Sequence, residues 1–208
     1  MGSGDFRIGV LGAGNGSNSE AIFEACAHGK IPGRVVLVLT DVADAFIQER
    51  ARKRGIEARF IGPSRFKTKW EPELEEQAAR MLRDAGVQLV ALAGYMRVVK
   101  SPLLRMFAGR MLNVHPSLLP AFPGLRAWEQ ALKSGVKITG CTVHFVEEGV
   151  DSGPIILQQK VTVLDNDTSE SLHERIQSAE HEIYPEAIRL FAEGKLKIDG
   201  RTVRIIET

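Results

Sequence analysis

Five runs of strand length, at residues 7–11, 35–39, 58–61, 89–93 and 111–115, follow one another through the first half of the chain with segments of helical period between them. Two of these runs, Val35-Val36-Leu37-Val38-Leu39 and Leu89-Val90-Ala91-Leu92-Ala93, are apolar at every position. A strand without polar alternation must be covered on both faces, which is the condition of a parallel strand inside an α/β sheet. Helices are expected at 19–27, 45–54, 72–84 and 101–107. Ala21, Ile22, Ala25 and Cys26 keep one face of the first, Pro72 suits a first turn, and Ser101-Pro102 reads as an N-cap followed by a first turn.

The second half has a different rhythm. Residues 115–124 carry three prolines and a glycine, so they form an ordered loop or turn series. Runs at 138–145 and 155–163, joined by the turn-forming stretch 147–154, read as antiparallel strands added to the sheet. Asp167-Thr168-Ser169 caps a long helix that Pro185 should kink or interrupt, and 196–206 is a hairpin turning at Asp199-Gly200. No repeat, low-complexity stretch or linker divides the chain. The expected architecture is one Rossmann-like α/β domain over 1–208. Its mostly parallel twisted sheet is flanked by helices, with late antiparallel strands, a C-terminal hairpin and a flexible N-terminus at 1–6. A chain of 208 residues suffices for a single core, since this length buries roughly 70% of the unfolded surface.

Charge narrows the partners. Lys and Arg total 27 against 26 Asp and Glu, so no global field exists to hold nucleic acid or an anionic membrane, and an anionic ligand needs a local site. No apolar run approaches membrane-spanning length, the first residues lack a signal-peptide pattern, and Phe6 stands where myristoylation requires Ser or Thr. Cys26 and Cys141 are far apart with no CxxC pair, which suits a reducing compartment and makes the cytoplasm the expected location. His28, His144, His173 and His181 show no metal-ligand spacing, and Cys141 and His144 would face opposite sides of a strand. No metal is expected.

Two segments carry chemistry. Leu11-Gly12-Ala13-Gly14-Asn15-Gly16-Ser17-Asn18 lies between a strand and a helix, where free backbone N–H groups and the helix dipole favour a phosphate. Ser17 occupies the place of the last glycine of a dinucleotide fingerprint, and no GK[ST] follows. The loop therefore reads as a monophosphate cradle built by Gly16, Ser17 and Asn18, although Asp41 could pose as a ribose-binding acid in a nicotinamide site. A plain tight turn accounts for the glycines but not for the Asn-Gly-Ser-Asn polarity. In the second segment, Asn113 and His115 are two residues apart at the carboxyl end of a strand. They project from one face, at the edge where open α/β sheets bind ligands.

Together these residues resemble the phosphoribosylglycinamide formyltransferases. The resemblance rests on Gly14-Asn15-Gly16-Ser17-Asn18, Ala93-Gly94-Tyr95-Met96-Arg97, the run from Asn113 through His115 to Pro120, Thr142-Val143-His144-Phe145-Val146 and Asp151-Ser152-Gly153-Pro154. It implies an enzyme that takes the formyl group of 10-formyltetrahydrofolate, a co-substrate, to the amine of glycinamide ribonucleotide (GAR) in purine biosynthesis. By the same resemblance, Asn113 donates to the oxyanion of the tetrahedral intermediate, His115 is a protonated donor to that centre, and Asp151 raises the histidine pKa and relays the amine's proton. Gly16, Ser17, Asn18 and Glu180 would bind the ribonucleotide. Lys69, Met96, Arg97, Val98 and Val99, with Asn113 and the backbone from Glu147 to Asp151, would bind the folate.

The chain departs from the pattern at Ala13, Ser19, Arg126 and Trp128; at the last two, relatives usually carry histidine. The small-molecule substrates leave room for a monomer or a homodimer. Alternatives within the group are a formyl-folate hydrolase, a sugar N-formyltransferase and a methionyl-tRNA formyltransferase; the hydrolase and the tRNA enzyme would be expected to add a further domain. From another class, a nicotinamide-dependent enzyme or a nucleotide-binding module would share the glycine loop.

Overall fold

The computed structural model describes residues 6–206. Five strands, β1 (Phe6–Leu11), β2 (Gly33–Thr40), β3 (Glu57–Phe60), β4 (Leu89–Leu92) and β5 (Met111–His115), pair in parallel in the order β3-β2-β1-β4-β5. Beyond β5 the sheet turns antiparallel through β6 (Ile138–Phe145) and β7 (Ile155–Thr162) and ends on the hairpin β8 (Leu196–Asp199) and β9 (Thr202–Ile205). β9 meets β7 in parallel through the single pair Ile155 and Thr202. The mostly parallel α/β sheet with late antiparallel strands is the expected fold. Of the N-terminus expected to be flexible, Phe6 already belongs to β1, and residues 1–5 lie outside the described residues.

Alternation along the buried strands divides the core into two layers. Ile8, Val10, Leu89, Ala91, Leu112 and Val114 face one layer, covered by α1 (Ser17–Ala27) and α6 (Ser169–Ala192). Leu11, Leu37, Leu39, Val90, Leu92 and Met111 face the other, covered by α3 (Pro72–Asp84) and α4 (Ser101–Met106). The parity has a functional consequence. Asn113 and His115 follow Met111 on the second face, beyond the point where that core ends at the carboxyl edge of the sheet.

Several local expectations are corrected. The first helix begins at Ser17 rather than 19, with Gly16 as its N-cap at φ 76°, so Ser17 and Asn18 occupy the first turn. Ser101 is not an N-cap. Lys100 holds that place, and its N–H donates to the buried Glu75 carboxylate of α3 at 2.6 Å, so a distant side chain meets the donor of the helix end. α6 runs through Pro185 without interruption, because Ile183, Tyr184, Pro185, Ala187 and Ile188 are all buried, and this packing outweighs the roughly 3 kcal/mol cost of an interior proline. Two short helices frame the loops: α2 (Ile47–Lys53) lies inside the expected 45–54, while α5 (Ala127–Lys133) falls outside the expected helices and buries only Ala127 and Ala131.

Candidate active site

A cleft of about 550 Å³ opens at the carboxyl edge of β1, β4 and β5, where the strand order changes direction. Its floor is set by β5 and β6. Asn113 and His144 face each other across this antiparallel pair, as do His115 and Thr142. Thr142 fixes the chain that leaves β5: its hydroxyl donates to the Ser117 carbonyl at 2.7 Å and accepts the Leu119 N–H at 3.0 Å. The proline-rich loop is therefore ordered by hydrogen bonds to the sheet as well as by its prolines.

Asp151 arrives on the turn after β6. Its backbone is left-handed at φ 49°, uncommon for a residue with a Cβ. Gly153 lets that turn close, since a Cβ there would sit 1.8 Å from the Phe145 carbonyl oxygen. The carboxylate accepts the Gly124 N–H at 2.9 Å, lies 3.3 Å from His115 Nδ1 and 3.7 Å from His144 Nε2. Burial alone would raise the Asp151 pKa, but its neighbours, the His115 ring and the Gly124 amide among them, outweigh it and hold the group below the ordinary carboxylate value.

His115 donates from Nε2 to the Phe122 carbonyl at 2.9 Å, so both ring nitrogens face acceptors and the site calls for two ring protons. Burial opposes that charge. It pushes the His115 pKa below its ordinary value, with the Asp151 carboxylate and the Phe122 carbonyl pushing back incompletely. The imidazolium implied by the resemblance thus depends on Asp151, and on any negative charge that enters the cleft.

Asn18, Met96, Arg97, Val98, Val99, Asn113, His115, Glu147, Asp151 and Glu180 line this one cleft. Met96 is 64% exposed at the mouth, whereas the Val99 side chain is 5% exposed and packs into the second core layer. Arg97 is not a solvated charge. It is paired with Asp41 and donates to the Phe66 carbonyl, which removes Asp41 from the role of a ribose-binding acid. Lys69 lies outside the cleft lining, with Nζ over the Phe66 ring at 5.1 Å. Gly16 and Ser17 also lie off the lining. Gly14 and Asn18 stand there for the glycine loop, and Ser17 faces a neighbouring groove with Glu20 and Arg50. Arg50 holds the loop by donating to the Asn15 carbonyl at 2.8 Å and to Asn15 Oδ1 at 3.1 Å.

Glu180 is 5% exposed and accepts from Asn18 Nδ2 at 2.8 Å, which ties α6 to the first turn of α1. Burial pushes its pKa up to about 7, with the Asn18 bond opposing. The folded state then holds this proton where the unfolded chain, at about 4.3, has lost it, so stability falls as pH rises from about 4.3 to about 7. Glu180→Gln removes that cost, on the order of 4 kcal/mol at most. Its melting temperature should exceed that of the parent at pH 8 and match it at pH 4; equal melting at both would remove the assigned burial cost.

Sequence reasoning missed His144, His173 and Gln177 as cleft residues. His144 projects from β6 onto the face of Asn113 and His115, a relation fixed by strand register rather than by motif. His173, Gln177 and Glu180 share one face of α6, and Trp128 stacks on His173 at 3.8 Å. Among the described residues no group of three or more His, Cys, Asp or Glu side chains is arranged to hold a metal, and no helix is long and apolar enough to cross a membrane.

The pattern of the family described as formyl transferase matches residues 6–188. The chain is 44% identical over 194 residues to the phosphoribosylglycinamide formyltransferase of Escherichia coli, covering 92% of this chain and 90% of that protein. It is 40% identical over 205 residues to the trifunctional purine biosynthetic protein adenosine-3 of Bos taurus; there the match covers 97% of this chain but only 20% of the relative's length. The solved structure of glycinamide ribonucleotide transformylase 1 from Symbiobacterium toebii superposes with a TM-score of 0.93 at 55% identity, covering 97% of this chain and 94% of that one. With the pattern spanning most of the sequence and the Escherichia coli relative matched along 90% of its length at 44% identity, the chain belongs to the formyl transferase family.

Proposed function

We propose that this protein transfers the formyl group of 10-formyltetrahydrofolate to the amine of 5'-phosphoribosylglycinamide, giving N-formyl-GAR and tetrahydrofolate. The observation that carries the reading is the convergence of Asn113, His115 and Asp151 in one cleft that also reaches Asn18 at the glycine loop and the segment from Met96 to Val99. The GAR amine attacks the formyl carbon, and the carbonyl oxygen becomes an oxyanion. Asn113 donates an N–H to it, and His115, when protonated, supplies positive charge beside it. The amine must lose one proton and N10 of the folate must gain one before the carbon–N10 bond breaks. Asp151, ionised and next to His115, is the group that relays it.

Each half of the cleft suits one substrate. Met96, Leu125 and Val150 place exposed apolar side chains at its mouth, a surface for the flat ring system of a folate. At the other end, the first turn of α1 presents its free N–H groups and positive dipole end to a phosphate. Ser17→Glu puts a negative charge into that turn and should raise KM for GAR at least tenfold while leaving KM for the folate within about twofold. Equal effects on both constants would sink the cradle. The two free thiols fit a reducing compartment, and we place the enzyme in the cytoplasm.

The deciding experiment is a formyl-transfer assay offering GAR, water, an amino sugar and charged tRNA in parallel. GAR should be the preferred acceptor by orders of magnitude. Faster release of free formate, or faster transfer to either other acceptor, would replace this reading with one of the related activities.

A further inference from the structure

A histidine nitrogen that faces a carbonyl oxygen must carry a hydrogen, because the oxygen can only accept. His144 Nδ1 lies 2.7 Å from the Phe145 carbonyl oxygen, so Nδ1 donates. In the neutral ring Nε2 then holds a lone pair, and the atom that faces it at 3.2 Å is Asn113 Nδ2, a donor. His115 has the opposite surroundings, with acceptors on both nitrogens. Two histidines thus flank Asp151 with different protonation demands. His144 is satisfied as a neutral ring, and its 3.7 Å separation from the carboxylate is too long for a hydrogen bond.

From this geometry we infer that His144 is a positioning residue for Asn113. An asparagine amide is nearly symmetric in shape but opposite in chemistry at its two ends. Were it to turn over, Oδ1 would meet the developing oxyanion and repel it. By accepting one N–H, the His144 ring decides which end is nitrogen and leaves the second N–H for the substrate oxygen. The register supports the assignment. His144 is directly opposite Asn113 on β6, it is 3% exposed, and its other nitrogen is committed to its neighbour's carbonyl, so the ring cannot rotate without losing both bonds. The inference rests on the formyl-transfer reading for its kinetic effect, but not for the hydrogen bond itself.

The test has a spectroscopic and a kinetic arm. In the unsubstituted protein, nitrogen-15 NMR of the histidine rings should show His144 carrying its hydrogen on Nδ1, with Nε2 free to accept. A ring protonated at both nitrogens, or at Nε2 alone, overturns the inference whatever the enzyme acts on. Kinetically, His144→Leu should lower kcat about tenfold or more with KM for either substrate changed less than about threefold. His144→Gln, whose side-chain oxygen can accept in place of Nε2, should recover most of the loss. In an Asn113→Ala background the same His144→Leu change should cost less than about twofold, because the partner it serves is gone. Fully additive losses overturn the inference. If His144→Leu fails to fold, the ring protonation state and the glutamine variant still decide. A protein that shows the expected ring state but does not formylate GAR would refute the proposed function and leave this inference standing.

Discussion

Asn113→Ala is expected to lower turnover by about 100- to 1,000-fold, the usual effect of removing one donor to a developing oxyanion, with KM for GAR and for the folate little changed. The asymmetry follows from timing. A formyl oxygen in the bound substrate is neutral and needs only a weak hydrogen bond, whereas the tetrahedral intermediate places a full charge there, so the lost N–H is missed mainly in the transition state. Asn113 is half-buried at the end of β5 and its amide bonds to His144, so the alanine variant frees a lone pair on His144 but leaves Met111, Leu112 and Val114 of the same strand in place. Circular-dichroism melting should therefore stay close to that of the parent while steady-state rates collapse. Near-normal turnover in a folded variant would strip Asn113 of its role.

Asp151→Asn should reduce turnover by about 100-fold or more, within the range for loss of a positioned proton carrier. The change keeps size and still offers an oxygen to the Gly124 N–H, so the turn need not rearrange. It removes the negative charge 3.3 Å from His115 Nδ1, and that charge is what resists the downward push of burial on the histidine. The His115 pKa should then fall further, and its NMR titration should move to lower pH. An unmoved titration would leave Asp151 without an electrostatic function. The sign for stability runs the other way in pH. Since folding holds the Asp151 pKa below its unfolded value of about 3.9, the stability it contributes is present above that value and is lost as pH falls through the folded pKa. Parent and variant should therefore differ most near neutrality and converge in strong acid.

Asn113 and His115 were legible as a pair because a strand repeats its facing every second residue and ends at a known edge of the sheet. Asp151 was legible only through the resemblance, because a turn aspartate has no period to mark it. His144 was quoted within a motif yet not assigned to the site, since its partner is selected by the antiparallel pairing of β5 with β6. Lys69, Gly16 and Ser17 are the converse case, singled out from the sequence but lying off the cleft lining.

The sequence by itself determined the α/β class, the turn from parallel to antiparallel strands, the long capped helix and the final hairpin, because apolar period and turn chemistry are local properties written along the chain. Tertiary structure alone decided that α6 passes through Pro185, that Glu75 caps a helix it does not belong to, and that Arg97 is spent on Asp41. It also decided the ionic character of the cleft. Whether Glu180 keeps its proton to about 7, and whether His115 can hold a second one, depends on burial and on neighbours up to 162 residues away in sequence, and no local pattern encodes the dielectric of a pocket that exists only once the chain has closed around it.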